Sequence, residues 1–163
     1  MDDDHRPAHA WLPDPSRSPD DWLLRGLESE DHYGPYRLIG LYGRPYKPVP
    51  TPKDVGPGMR RCCFANAFRL ASERPELRYV EGYGTLWGSD TWPNRHAWCI
   101  DGAGRVIDPT WGTIDPLPLA LRGIVLPLDL VEPYCGELSR GTLDALGQRV
   151  DVIARRLGLQ WPV

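Results

Sequence analysis

Three features of the sequence predict an α+β fold in one domain. Residues 142–157 place Leu143, Leu146, Val150, Ile153 and Leu157 at spacings of three and four, the apolar stripe of an amphipathic helix. Residues 96–100 and 105–110 read as short strands around Gly102-Ala103-Gly104. A three-residue loop with glycine in its left-handed position makes such strands antiparallel neighbours. Ahead of them, residues 61–71 read as a helix whose Cys63, Ala67, Leu70 and Ala71 form an apolar face suited to packing on a sheet. At 163 residues the chain is long enough for one core and short for two.

The elements follow in order. Residues 1–16 are polar and broken by Pro7, Pro13 and Pro15, so a loosely ordered segment is expected there, with Trp11 available to dock. The domain then spans 17–163. Ser18-Pro19-Asp20-Asp21 supplies a cap, a proline at the first helical position and acids in the first turn. That helix is expected to reach about residue 30. Residues 36–42 are expected as a short strand, and 43–58, with five prolines, as an extended connection. A second helix begins at Cys62 or Cys63 and ends before Pro75, followed by a strand over 78–84, a loop over 85–95 and the hairpin. The proline-rich stretch 112–137 holds a strand or turn around 124–128, and Gly158 stops the last helix.

Charge is nearly balanced, with 19 Lys plus Arg against 22 Asp plus Glu, so nothing favours nucleic acid or an anionic membrane surface. No apolar run approaches the ~18 residues of a membrane span. The Met-Asp-Asp-Asp-His start is acidic where a secretory leader is basic, which places the expected location in the cytoplasm. In a reducing compartment Cys62, Cys63, Cys99 and Cys135 are expected as thiols.

Cys63, His96 and Asp108 occur in that order, at a helix start, on a strand and on the next strand. A thiol attacks as thiolate, a form favoured by a helix N-terminus and a nearby imidazolium, and a carboxylate behind an imidazole orients it. Cys63 is chosen over Cys62 because Cys62 shares its face with Asn66, Arg69 and Glu73, a polar stripe expected to face water. The loop over 102–104 sets Asp101 opposite Arg105, Trp98 opposite Asp108 and His96 opposite Thr110. His96 and Asp108 are then diagonal neighbours on one face, whereas a two-residue loop would part them. The competing reading is metal binding by Cys62, Cys63, His96 and Cys99. Adjacent cysteines lack the usual ligand spacing, and His96 and Cys99 point to opposite faces, so no metal is expected.

Cys63-Phe-Ala-Asn-Ala67, Arg78-Tyr-Val-Glu-Gly-Tyr83, His96-Ala-Trp98 and Val106-Ile-Asp-Pro-Thr110 together resemble the core of the transglutaminase-like cysteine hydrolase superfamily, over about residues 60–111. The His-Ala-Trp and Asp-Pro-Thr pair is the most specific part. The resemblance implies a Cys-bearing helix packed on an antiparallel sheet that carries His and Asp. It also implies Cys63 as nucleophile, His96 as base and Asp108 as orienting acid, without a cofactor. Substrates would be peptides, proteins or small amides. Two departures stand out: Arg61-Cys62 replaces the usual glycine before the nucleophile, and the further domains of calcium-dependent transglutaminases are missing. The alternative to an enzyme is an inactive binding module on the same fold. Trp87 and Trp92, in the loop before His96, are candidates for a substrate wall or for loop anchors. Gly82, with Gly84, either admits a close approach by substrate or the Cys helix, or marks a bulge or strand end. Trp98 is a core residue or a wall behind the imidazole.

Overall fold

The computed structural model describes residues 16–29, 32–88, 93–136 and 140–162. Its helices are α1 (Pro19–Ser29), α2 (Gly34–Tyr42), α3 (Cys63–Glu73), α4 (Leu128–Val131), α5 (Gly141–Leu146) and α6 (Asp151–Arg156). Its strands are β1 (Arg44–Tyr46), β2 (Arg78–Thr85), β3 (Asn94–Ile100), β4 (Val106–Ile107) and β5 (Ala120–Val125). The strands form one antiparallel sheet in the order β1-β5-β2-β3-β4, so the fold is α+β. The expected disorder of the first residues, and the docking of Trp11, lie outside the described residues.

Local chemistry accounts for most element boundaries. α1 opens on a reciprocal cap: Asp21 N–H donates to Ser18 Oγ at 3.2 Å, and Ser18 N–H donates to Asp21 Oδ2 at 3.3 Å. The 36–42 segment is helical and not a strand. Arg37 N–H donates to Tyr33 O at 3.0 Å and Gly43 N–H to Ile39 O at 2.9 Å, the four-residue step of a helix, and Pro35 suits its first turn. The proline-rich connection contains β1, an edge strand where Pro45 costs no interior ladder bond. The strand expected around 124–128 is displaced to β5, which pairs with both β1 and β2. The expected continuous last helix is two: Gly147 has φ 53° and ends α5, and Gly158, at φ 68°, follows α6.

The sheet separates two clusters. On one face Tyr79, Tyr83, Ala97, Cys99 and Ile107 pack with α1, α2 and α3 through Leu23, Leu38, Ala67 and Leu70. On the other, Val80, Trp98, Ile100, Val106 and Leu121 form a smaller cluster. Arg122 of β5 ties α1 to the sheet through the Asp20 carboxylate at 2.7 Å and the Gly43 carbonyl at 2.8 Å. Among the described residues no helix is long and apolar enough to cross a membrane.

Candidate functional site

The hairpin follows the register read from its loop. Cys99 faces Ile107 and Ile100 faces Val106, Asp101 N–H donates to Arg105 O at 3.1 Å, and Gly104 has φ 78°. Two details differ from expectation. β3 starts at Asn94, so His96 lies inside the strand, and β4 stops at Ile107, so Asp108 stands just past its end. The ladder stops because the Asp108 carboxylate turns the chain. Its Oδ1 accepts the N–H groups of Thr110 and Trp111, both at 2.9 Å, and closes the turn into a short 3₁₀ helix, Trp111–Thr113.

The other carboxylate oxygen of Asp108 lies 2.6 Å from His96 Nε2. Both residues are buried, at 0% and 2% exposure. His96 Nδ1 makes no hydrogen bond of good geometry, but the Cys63 thiol interacts with the ring. Burial opposes charging the imidazole; the Asp108 charge and hydrogen bond, aided by Cys63, outweigh it and push the ring up to about 9. The Trp111 indole stacks on the imidazole at 3.6 Å between centroids and 8° between planes. Trp98 lies farther off, at 5.8 Å and 22°.

Cys63 is the first residue of α3, with Cys62 as its N-cap, and both are half-buried. Arg61 holds a left-handed φ of 61°, a conformation that glycine adopts at less cost. The body of α3 lies on the Cys99 face, where the Cys99 thiol donates to Ala67 O at 3.2 Å. His96 belongs to the opposite face with Trp98. Beyond the end of β4, the entry to α3 abuts residues 109–110 in place of a continued ladder: Asn66 Nδ2, in the first turn, donates to Thr110 Oγ1 at 2.9 Å, and Gly58 N–H, in the loop before it, to Pro109 O at 2.8 Å.

Asn66 overturns part of the face assignment. Expected on a wet stripe, it is 1% exposed, because the 56–59 loop folds over that side of α3 and supplies Met59 N–H and C=O to its amide. Sequence reasoning also passed over Trp111, for which the only signal was its place three residues after Asp108. Glu81 lies within the Arg78–Tyr83 stretch, with no signal of its own in the sequence. It is buried behind Phe64, where it accepts from Leu143 N–H at 2.6 Å and Tyr79 O–H at 2.9 Å.

The residues named as substrate contacts fall in different places. Trp87 is exposed in the turn after β2, and Trp92 lies outside the described residues. Trp98 is fully buried in the smaller cluster and presents no surface to a ligand. A Cβ at Gly82 would stand 2.1 Å from the Arg122 carbonyl oxygen, so this glycine admits β5. The ladder runs through it on both sides without a bulge. At Gly84 a Cβ would meet Trp111 at 2.7 Å and Leu121 at 2.8 Å; the missing side chain makes room for the indole that covers His96.

Among the described residues no three His, Cys, Asp or Glu side chains gather as a metal site. A pocket of about 320 Å³ lies beside the site, lined by Asp54, Pro57, Asn66, Arg69 and Pro109 among others, and includes neither Cys63 nor His96. Compared with known protein families, curated proteins and solved structures, the chain matches none.

Proposed function

We infer that this chain is a cysteine-dependent acyl-transfer enzyme of transglutaminase-like type, with Cys63 as nucleophile, His96 as base and Asp108 as the acid that orients the base. One observation carries the reading. A buried carboxylate engages one imidazole nitrogen at 2.6 Å, the other nitrogen has no hydrogen-bond partner, and a half-buried helix-start thiol interacts with the same ring.

Chemically, the nucleophile is the thiolate of a thiolate–imidazolium pair: the thiol proton rests on His96 Nδ1, whose ring Asp108 holds in the charged form. The thiolate adds to an amide or ester carbonyl. The backbone N–H of Cys63, in the first helical turn where no intrahelical acceptor exists, is the default donor to the oxyanion. Collapse of the adduct breaks the carbon–nitrogen or carbon–oxygen bond as the imidazolium protonates the leaving group, and a thioester remains. Water or an amine, deprotonated by His96, then attacks the thioester and restores the thiol. None of these steps needs a metal or an organic cofactor. Substrates are peptides, proteins or small amides.

The test combines a thiol probe with an acyl-substrate library. Cys63 is expected to react with iodoacetamide well before Cys99 and Cys135, whose burial pushes each thiol up to about 12. Cys63→Ala and His96→Ala should each abolish turnover with the fold intact, and Asp108→Asn should leave a small residual rate. A parent protein that binds a library member without turnover, unaltered by all three substitutions, would instead mark an inactive binding module.

A further inference from the structure

We propose that Asn66 is a positioning residue: it locks the Cys63 end of α3 to the loop that carries Asp108, and so sets the approach of the thiol to the imidazole. This rests on the reading of Cys63 and His96 given above. Asn66 follows Cys63 by one helical turn and is 1% exposed. Its amide uses one acceptor and two donors. Oδ1 accepts Met59 N–H at 3.0 Å, while Nδ2 donates to Met59 O at 2.7 Å and to Thr110 Oγ1 at 2.9 Å.

Those partners belong to the two segments whose relative position decides the site. Met59 lies four residues before Cys63 on the strand of chain that delivers it, through the left-handed Arg61. Thr110 lies two residues after Asp108, and its own N–H donates to the Asp108 carboxylate at 2.9 Å. A continuous path of hydrogen bonds thus runs from the entry of α3 through the Asn66 amide and Thr110 to the carboxylate that holds His96. The chain leaves no room for anything else in the gap: a Cβ at Gly58 would stand 2.3 Å from Asn66 Cγ, and Gly58 N–H itself donates to Pro109 O at 2.8 Å. The join is needed because β4 ends at Ile107, so no ladder bond fixes residues 108–110 beside His96. A carboxylate at this position would lose both donors, and an apolar side chain would leave the Met59 N–H and C=O and the Thr110 hydroxyl, all part-buried, without their partner.

The experiment reads the rate of Cys63 alkylation by iodoacetamide, with peptide mapping of all four cysteines in the full chain. Thr110→Val removes the acceptor and keeps the shape and the backbone N–H bonded to Asp108. We expect it to slow Cys63 alkylation about three- to tenfold, the worth of one hydrogen bond, in the direction of His96→Ala. Thr110→Ser should restore the parent rate. General loosening would act in the opposite sense, by speeding the labelling of Cys62 and Cys63 together. Thr110→Ala is the parallel variant should Thr110→Val expose buried Cys99. Parent rates at Cys63 in both Thr110→Val and Thr110→Ala, while His96→Ala remains slow, would overturn the positioning role alone. A parent rate that His96→Ala does not change would overturn the activation of Cys63, and the positioning role with it.

Discussion

His96 holds a charge-bearing ring at 0% exposure, and the Asp108 carboxylate, aided by Cys63, makes that tolerable. The linkage sign follows from the direction of the shift. The ring is pushed up from 6.5 to about 9, so the folded protein binds this proton more tightly than the unfolded chain. The stabilisation is complete below pH 6.5 and is lost as pH rises through 9. Urea unfolding of the parent and of Asp108→Asn across that range should therefore show a stability gap that narrows towards high pH. A gap that is flat or widens would show that the ring does not carry its proton in the folded state.

At the scale of elements, one buried carboxylate organises the C-terminal part against the sheet. Glu81 on β2 accepts from Leu143 N–H, at the start of α5, and from Tyr79 O–H, and its burial raises its pKa. α5 is only six residues and would be marginal alone, so this contact and the packing of Gly141 on Phe64 hold it in place. Glu81→Ala is expected to cost about 2–4 kcal/mol, since it strands two buried donors, and Glu81→Gln, which keeps an acceptor, distinctly less. Urea midpoints at constant slope would measure both. Equal losses for the two variants would mean that the hydrogen bonds are not what Glu81 contributes.

For the whole molecule, the sheet order puts β2 at the centre, with a ladder to β3 along one edge and to β5 along the other. β1 and β4, of three and two residues, stand at the two edges, and very short edge strands offer a poor template for another chain. Amide hydrogen exchange should accordingly be slowest in β2 and in the residues of β3 and β5 paired with it. β1 and β4 should exchange faster through local opening. Edge strands that outlast β2 in an exchange time course would contradict this ranking.

The sequence alone determined what depends on neighbours along the chain. The Ser18 cap, the start of α3 at Cys62 or Cys63, the hairpin register at Gly104 and the stop at Gly158 are local, and each was legible in residue types at fixed spacing. Register in turn placed His96 and Asp108 on one face, because a turn of given length leaves one alternation. Tertiary structure decided the rest. Tyr36–Tyr42 had apolar residues compatible with either period, and it is a helix that buries Gly34, Pro35, Leu38 and Ile39 against the rest of the fold. β5 was obscured by flanking prolines and is a strand because β1 and β2 both offer it an edge. Asn66 had a polar side chain on a polar stripe; a loop from elsewhere in the chain covered it and turned it into a buried bridge. Trp111 had only its place three residues after Asp108 as a local signal, and its position over His96 needs the space that Gly84, on another strand, leaves. Hydrogen-bond geometry within a turn is written in a few consecutive residues, whereas burial is a property of the space that distant segments leave to one another.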